Sequence, residues 1–140
     1  MDHAATIRRM FEAINAHDAD AFGAHIADDL VEHEEIPGIP STKEGVLTMF
    51  RMYFEAFPDL EVKVEDVIAS GDKIVNRVTY SGTNEGQFMG MPATGKRVDG
   101  IESIDITVFG DDGLAHEHWG VFDAMGMMQQ LGVIPVGAPA

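Results

Sequence analysis

Apolar residues recur with helical spacing over the first third of the chain and with a period of two after it, and this change predicts the order of elements. Ile7, Met10, Phe11 and Ile14 fall at i, i+3, i+4 and i+7, one face of a helix, with Arg8, Arg9 and Glu12 off that face. A second short helix is predicted to start at an Asp18 or Asp20 cap and to carry Phe22, Ile26 and Leu30 inward. It leads into a short extended piece, Leu30 to Glu34, closed by Pro37-Gly38. Ser41 followed by Glu44 has the form of a capping box, and an apolar face of Val46, Met49, Phe50, Tyr53 and Phe57 follows it. That third helix must stop near Phe57, because Pro58 disfavours helical geometry in the residue before it.

From Leu60 onward Leu60, Val62 and Val64 alternate with Glu61, Lys63 and Glu65, Ser70-Gly71-Asp72 turns the chain, and Ile74 to Thr83 reads as a second strand. A Gly- and Met-rich crossing, Gly86 to Gly95, separates this hairpin from a long third strand, Lys96 to Phe109. Gly110 to Gly113 turns again, a last strand ends near Asp123, and Ala124 to Leu131 forms a short helix stopped by Gly132. Val133 to Ala140 reads as a mobile tail. Three helices before a long curling antiparallel sheet predict a single α+β domain over 1–140, a cone of sheet wrapped around helices.

Composition narrows the function. The chain has 140 residues and no cysteine, which excludes disulfides, zinc–thiolate sites and thiol nucleophiles. No apolar stretch approaches the roughly 18 residues of a membrane span, and Met1 to Arg9 lacks a signal-peptide core, so a soluble, cytoplasmic protein is expected. The 9 basic and 24 acidic residues give a formal charge of −15, which repels phosphate backbones and anionic membranes and argues against nucleic-acid and membrane partners. Solubility accounts for the acidity, and adaptation to high salt is one form of that.

The densest chemistry lies in His116-Glu117-His118-Trp119-Gly120-Val121-Phe122-Asp123, which gathers two histidines, two carboxylates and the only tryptophan. In strand geometry Glu117, Trp119, Val121 and Asp123 share one face and His116, His118, Gly120 and Phe122 the other. Asp123, between Phe122 and Ala124, is either a buried acid or the N-cap of the last helix. On the third strand the even positions, Val98 to Val108, read as the apolar side, which puts Glu102 among them; a bulge would instead free it to water. His33 lies between Glu32 and Glu34, where a carboxylate neighbour suits proton transfer, or it is a half-exposed histidine. His118 has the same standing, although strand parity counts against it unless the strand bulges. The pairs His116/His118 and His33/Glu35 have strand spacing for two metal ligands each, but no HExxH or similar motif accompanies them, so no metal is expected. A serine hydrolase lacks its Gly-x-Ser-x-Gly elbow. Nine methionines and the aromatics Phe50, Phe54 and Phe88 suit both core and a pocket for a flat apolar ligand.

Several segments, in order, resemble the SnoaL-like polyketide cyclase family, within the group sharing the nuclear-transport-factor-2 and ketosteroid-isomerase cone fold. They are Val31-Glu-His33, Phe57-Pro58-Asp59-Leu60, Val64 to Asp72, Ser81-Gly82-Thr83 with Gly86, Phe88 to Lys96, Glu117-His118-Trp119 with Asp123, and Gln129 to Gly132. The resemblance implies a cofactor-independent acid/base enzyme with a deep apolar cavity, and Asp123 matches the family's proposed acid/base at the end of the last strand. It also implies an intramolecular aldol closure, or isomerisation, of a small hydrophobic carbonyl compound. On this reading Asp123 is the base, His33, Glu102 and His118 orient or protonate substrate, and Trp119, Phe50, Phe54, Phe88 and Met91 form the wall. If Glu102 and Asp123 both face solvent, the enzyme reading fails. The competing expectation is a non-catalytic ligand-binding domain. Homodimerisation fits either, with Ile101 and Phe109 as candidate contact residues on the outer side of the third strand.

Overall fold

The computed structural model describes residues 1–135; residues 136–140, most of the tail expected to be mobile, lie outside the described residues. Helix α1 (His3–Asn15) packs the predicted face, Ile7, Met10, Phe11 and Ile14, into the core. Asp18 caps α2 (Ala19–Gly23) by accepting from the Ala21 amide, but this helix is one turn long. Ile26 and Leu30 do not continue it; they are buried on strand β1 (Ile26–Glu32). The cap of α3 (Lys43–Ala56) is one residue later than expected, with Thr42 Oγ1 accepting from the Gly45 amide at 3.1 Å.

Strands β2 (Glu61–Ser70), β3 (Lys73–Thr83), β4 (Arg97–Phe109) and β5 (Ala115–Phe122) follow, and Asp123 caps the final helix α4 (Ala124–Gln130). The sheet order is β1-β5-β4-β3-β2, antiparallel throughout except for the parallel β1–β5 edge pair. One face of this five-stranded sheet covers the helices and the other is outward. The α+β class and helix-then-sheet order are as the periodicity predicts.

One irregularity decides which side chains point inward. Between the pairs Tyr80↔Ile101 and Gly82↔Val98, β3 spends one residue and β4 spends two, Asp99 and Gly100. Gly100 has φ +65°, the left-handed backbone that a glycine bulge uses at no steric cost. The extra residue turns Val98 and Ile101 to the same side, so beyond it the odd positions Ile101, Ser103, Asp105, Thr107 and Phe109 face inward. This corrects the even-numbered inner face expected for β4. Ile101 and Phe109, expected on the outer side, are buried in the core. Ile104 takes their place outside, opposite Val121 of β5, and both are exposed.

Candidate active site

Register alone assembles a polar row across the inner face of the sheet. Asn76 of β3 pairs with Asp105 of β4, and Asp105 pairs with Gly120 of β5. One step along β5, His118 pairs with Thr107 on one side and with Glu32 of the parallel strand β1 on the other. A second extra residue, between the pairs Val108↔Glu117 and Phe109↔Ala115, lies on β5 at His116. Beyond it His118, Gly120 and Phe122 face inward.

The row is closely bonded. His118 donates from Nδ1 to both carboxylate oxygens of Glu32, at 2.6 and 2.8 Å, and from Nε2 to Asp105 Oδ1 at 3.0 Å. Asp105 Oδ2 accepts from Asn76 Nδ2 at 2.9 Å. With a carboxylate on each nitrogen the imidazole is a doubly protonated cation. Burial on its own would lower its pKa, but the hydrogen bonds to Asp105 and Glu32, and their charges, prevail and raise it to about 10. His118 therefore has no free nitrogen with which to act as a base.

Glu34 is placed differently. Its backbone amide donates to Glu32 Oε1 at 2.9 Å, while its own carboxyl receives no hydrogen bond among the described residues. Burial pushes its pKa up, the His118 cation pulls it down, and the charges of Asp105 and Glu32 push it up again, for a net rise. Space for this carboxyl comes from Gly120, where an added Cβ would stand 2.5 Å from Glu34 Oε1 and 2.8 Å from Asp105 Oδ1. Glycine at this strand position leaves the room a side chain would fill.

These groups line part of an interior cavity of about 140 Å³ whose walls are otherwise mainly apolar, with Met10, Phe11, Met49, Phe50 and Phe122, and include the hydroxyl-bearing Ser103 and Thr107. Tyr53 and Tyr80 also line it; burial first, then nearby carboxylates, raises both phenols above their ordinary range, so they are neutral hydrogen-bonding groups.

Of the residues singled out in the sequence, His118 and Phe50 line this cavity. Glu102 is exposed on the outer face, where its Oε1 accepts from Arg77 Nη1 at 2.8 Å; the β4 bulge puts it there. Asp123 is exposed, and its Oδ1 accepts from the Gly126 amide at 2.9 Å, so the capping alternative describes its position. Both acids face solvent, the outcome under which the enzyme reading drawn from the sequence, with these two acids at its centre, fails. His33 sits outside, bonded to Glu117 at 2.6 Å and stacked on Trp119 with ring centroids 4.4 Å apart. Trp119 is therefore outer surface and not wall. Phe54 stacks on His17, and Phe88 and Met91 belong to the core and its margin. Of the histidines in the two spaced pairs, His116 bonds Asp112 and His33 bonds Glu117. Glu32, Glu34 and His118 do bring three donor atoms within 4.8 Å of one another. An ion there would displace the Nδ1 proton that Glu32 accepts.

The residues that sequence reasoning missed are Glu32, Glu34, Asp105, Asn76, Tyr53 and Tyr80. A signal existed for two of them. Asn76 stands between Ile74 and Val78 in period two, and Asp105 occupies the same parity as Ile101 and Phe109.

The profile of the SnoaL-like polyketide cyclase family matches residues 4–131, nearly the whole chain. The chain belongs to that family. IdmH of Streptomyces antibioticus, a proposed polyketide cyclase, is 31% identical with a TM-score of 0.80, covering 94% of this chain and 99% of its own. AclR of Streptomyces galilaeus, a proposed hydroxylase, is 27% identical with a TM-score of 0.84, covering 98% of this chain and 85% of its own. TsrD of Streptomyces laurentii is 29% identical with a TM-score of 0.80 over 93% of this chain and 97% of its own. No curated protein matches the sequence. The SnoaL-like cone fold is thus shared with these structures, and among the described residues no helix is long and apolar enough to cross a membrane.

Proposed function

We propose that this SnoaL-like protein is an acid/base enzyme acting on a small hydrophobic carbonyl compound, with Glu34 as the group that removes and returns the proton. The observation carrying this reading is the Glu34 carboxyl itself: free of hydrogen bonds among the described residues, raised in pKa by burial, and set among the polar groups of a mainly apolar cavity. A carboxyl whose pKa is raised by burial takes up a proton more readily than an ordinary one and can return it. Ionised Glu34 takes a proton from the carbon beside the carbonyl, and the electron pair of that C–H bond moves into an enolate. The enolate oxygen is met by the neutral hydroxyl of Tyr53 or Tyr80. The enolate then attacks a second carbonyl of the same molecule, closing an aldol ring, or is reprotonated elsewhere in an isomerisation. Protonated Glu34 supplies the final proton in either case. His118 fixes Glu32 and Asp105 and offsets their charge, which makes it a positioning residue. Membership of the family, and the likeness to IdmH and AclR, support a cyclase- or hydroxylase-like enzyme.

The test is deuterium exchange from heavy water into the carbon next to the carbonyl of small ring ketones and diketones. Glu34→Gln should slow exchange by about 10²- to 10⁴-fold, the range for a positioned acid/base, whereas Asp123→Asn should exchange like the wild type. Exchange unaffected by Glu34→Gln, or none above the buffer rate in wild type, sinks the reading; binding of these ketones without exchange favours a non-catalytic ligand-binding domain.

The outward face also supports a homodimer. Ile104 and Val121, paired on adjacent strands, form an exposed apolar patch of the kind that a second copy covers. A monomeric mass by light scattering at micromolar concentration would contradict this arrangement.

A further inference from the structure

The polar end of the cavity is short of positive charge. Glu32, Glu34 and Asp105 face one imidazolium, no Lys or Arg among the described residues lines the cavity, and both N–H groups of His118 are already taken. Beside the hydroxyls of Tyr53, Tyr80, Ser103 and Thr107, a ligand arriving there meets acceptors without donors. One is the Glu34 carboxyl. Another is Asn76 Oδ1, buried on a side chain only 1% exposed and without a donor among the described residues. The amide cannot simply be turned over to relieve it. Exchanging its nitrogen and oxygen would set two acceptors, Oδ1 and Asp105 Oδ2, at 2.9 Å. A buried acceptor left unpaired costs about 1–3 kcal/mol, which a donor on the ligand recovers.

The volume limits ligand size. A cavity of about 150 Å³ holds benzene, so the 140 Å³ here fits a molecule about one ring in size. We propose that the cavity takes a small hydrophobic amine, with the ring against Phe50 and Met49 and the ammonium group between Glu34 and Asn76 Oδ1. An ammonium group supplies three donors and no acceptor and carries the missing charge, whereas an alcohol supplies one donor and a carboxylate adds a fourth anion. The inference rests on the reading of this cavity as the working site, and because an ammonium seated on Glu34 occupies the proposed base, the amine is held in place of the carbonyl substrate rather than as part of it.

The experiment compares benzylamine, benzyl alcohol and benzoate, matched in size, by calorimetric titration of wild type, Glu34→Gln and the outer-face control Glu117→Gln at neutral pH. Benzylamine should bind at least about tenfold more tightly than benzyl alcohol, a difference of about 1.4 kcal/mol, with benzoate weakest. The ratio should collapse in Glu34→Gln and persist in Glu117→Gln. Circular dichroism confirms that each variant is folded; if Glu34→Gln is not, the wild-type ranking decides alone. Equal or tighter binding of the alcohol or benzoate, a ratio insensitive to Glu34→Gln in folded protein, or no binding of any of the three at millimolar concentration overturns the proposal. Amine preference without ketone exchange would defeat the acid/base reading alone, and exchange without amine preference would defeat only this one.

Discussion

His33 reaches Glu117 and His118 reaches Glu32, each at 2.6 Å, on opposite faces of the same edge of the sheet. The side chains of the outer pair are 37% and 36% exposed; those of the inner pair are 20% and 6% exposed, and Asp105, at 13%, closes the inner pair into a triad. Contact length therefore says little about worth. Outside, water solvates each partner when the other is removed, and the pair contributes little. Inside, each charge depends on the other, because the apolar cavity offers no replacement. The same residue types at the same distance give surface decoration on one face and the organising centre of a site on the other.

Removing His118 should expose this difference most strongly. His118→Ala leaves Glu32 and Asp105 buried without their cation and should cost about 3–5 kcal/mol at pH 7. Denaturant unfolding at pH 7 checks it. A loss below about 1 kcal/mol would mean that the triad is no more than a surface pair.

pH probes the same asymmetry without mutation. The folded pKa of His118, about 10, lies above its ordinary value of 6.5, so folding binds the proton. Its contribution is complete below pH 6.5 and declines as the pH rises through the window up to about 10, by about 1.4 kcal/mol per unit. Glu34, also raised, acts in the same direction: its ionisation in the fold is disfavoured, so stability gains as the pH falls toward its ordinary 4.5. Unfolding free energies measured from pH 6 to 10 should fall steadily in the wild type and be flatter in His118→Ala.

How much of this was legible follows from where information sits in the chain. Helical spacing and its change to a period of two mark α1, α3 and the hairpins, since both patterns are local, whereas the second helix was expected to reach Leu30 and β1 runs there instead. The face of a strand is less secure, because one inserted residue inverts it. Asp99-Gly100 does this in β4 and His116 in β5, and Glu102 and Asp105 exchange sides as a result. Glu32 was harder still. Its bond to His118 spans 86 residues and depends on β1 lying parallel to β5, which no local pattern announces. For Asp123 both the cap and the acid were legible, and the Gly126 amide claims the carboxylate.

Gly120 tests the inner face at one methyl group. In Gly120→Ala the new Cβ would lie 2.5 Å from Glu34 Oε1 and 2.8 Å from His118 Cε1. Overpacking of this kind costs about 1–3 kcal/mol, and the displaced Glu34 should lose ketone exchange by a larger factor than stability alone explains. A crystal structure with Glu34 unmoved, or undiminished exchange in the folded variant, would separate Glu34 from the site.

The smallest effect belongs to the outer pair. His33→Ala removes the Glu117 contact and the stacking on Trp119, yet both partners remain hydrated. Exposed ion pairs are worth about 0.2–1 kcal/mol, and the difference should fade in molar salt, where the Debye length is about 3 Å. The His118→Ala deficit, set by burial, should persist in the same salt. Measuring the two variants side by side at low and high ionic strength therefore separates a screened contact from a desolvated one, and equal salt sensitivity would erase the distinction between the two faces.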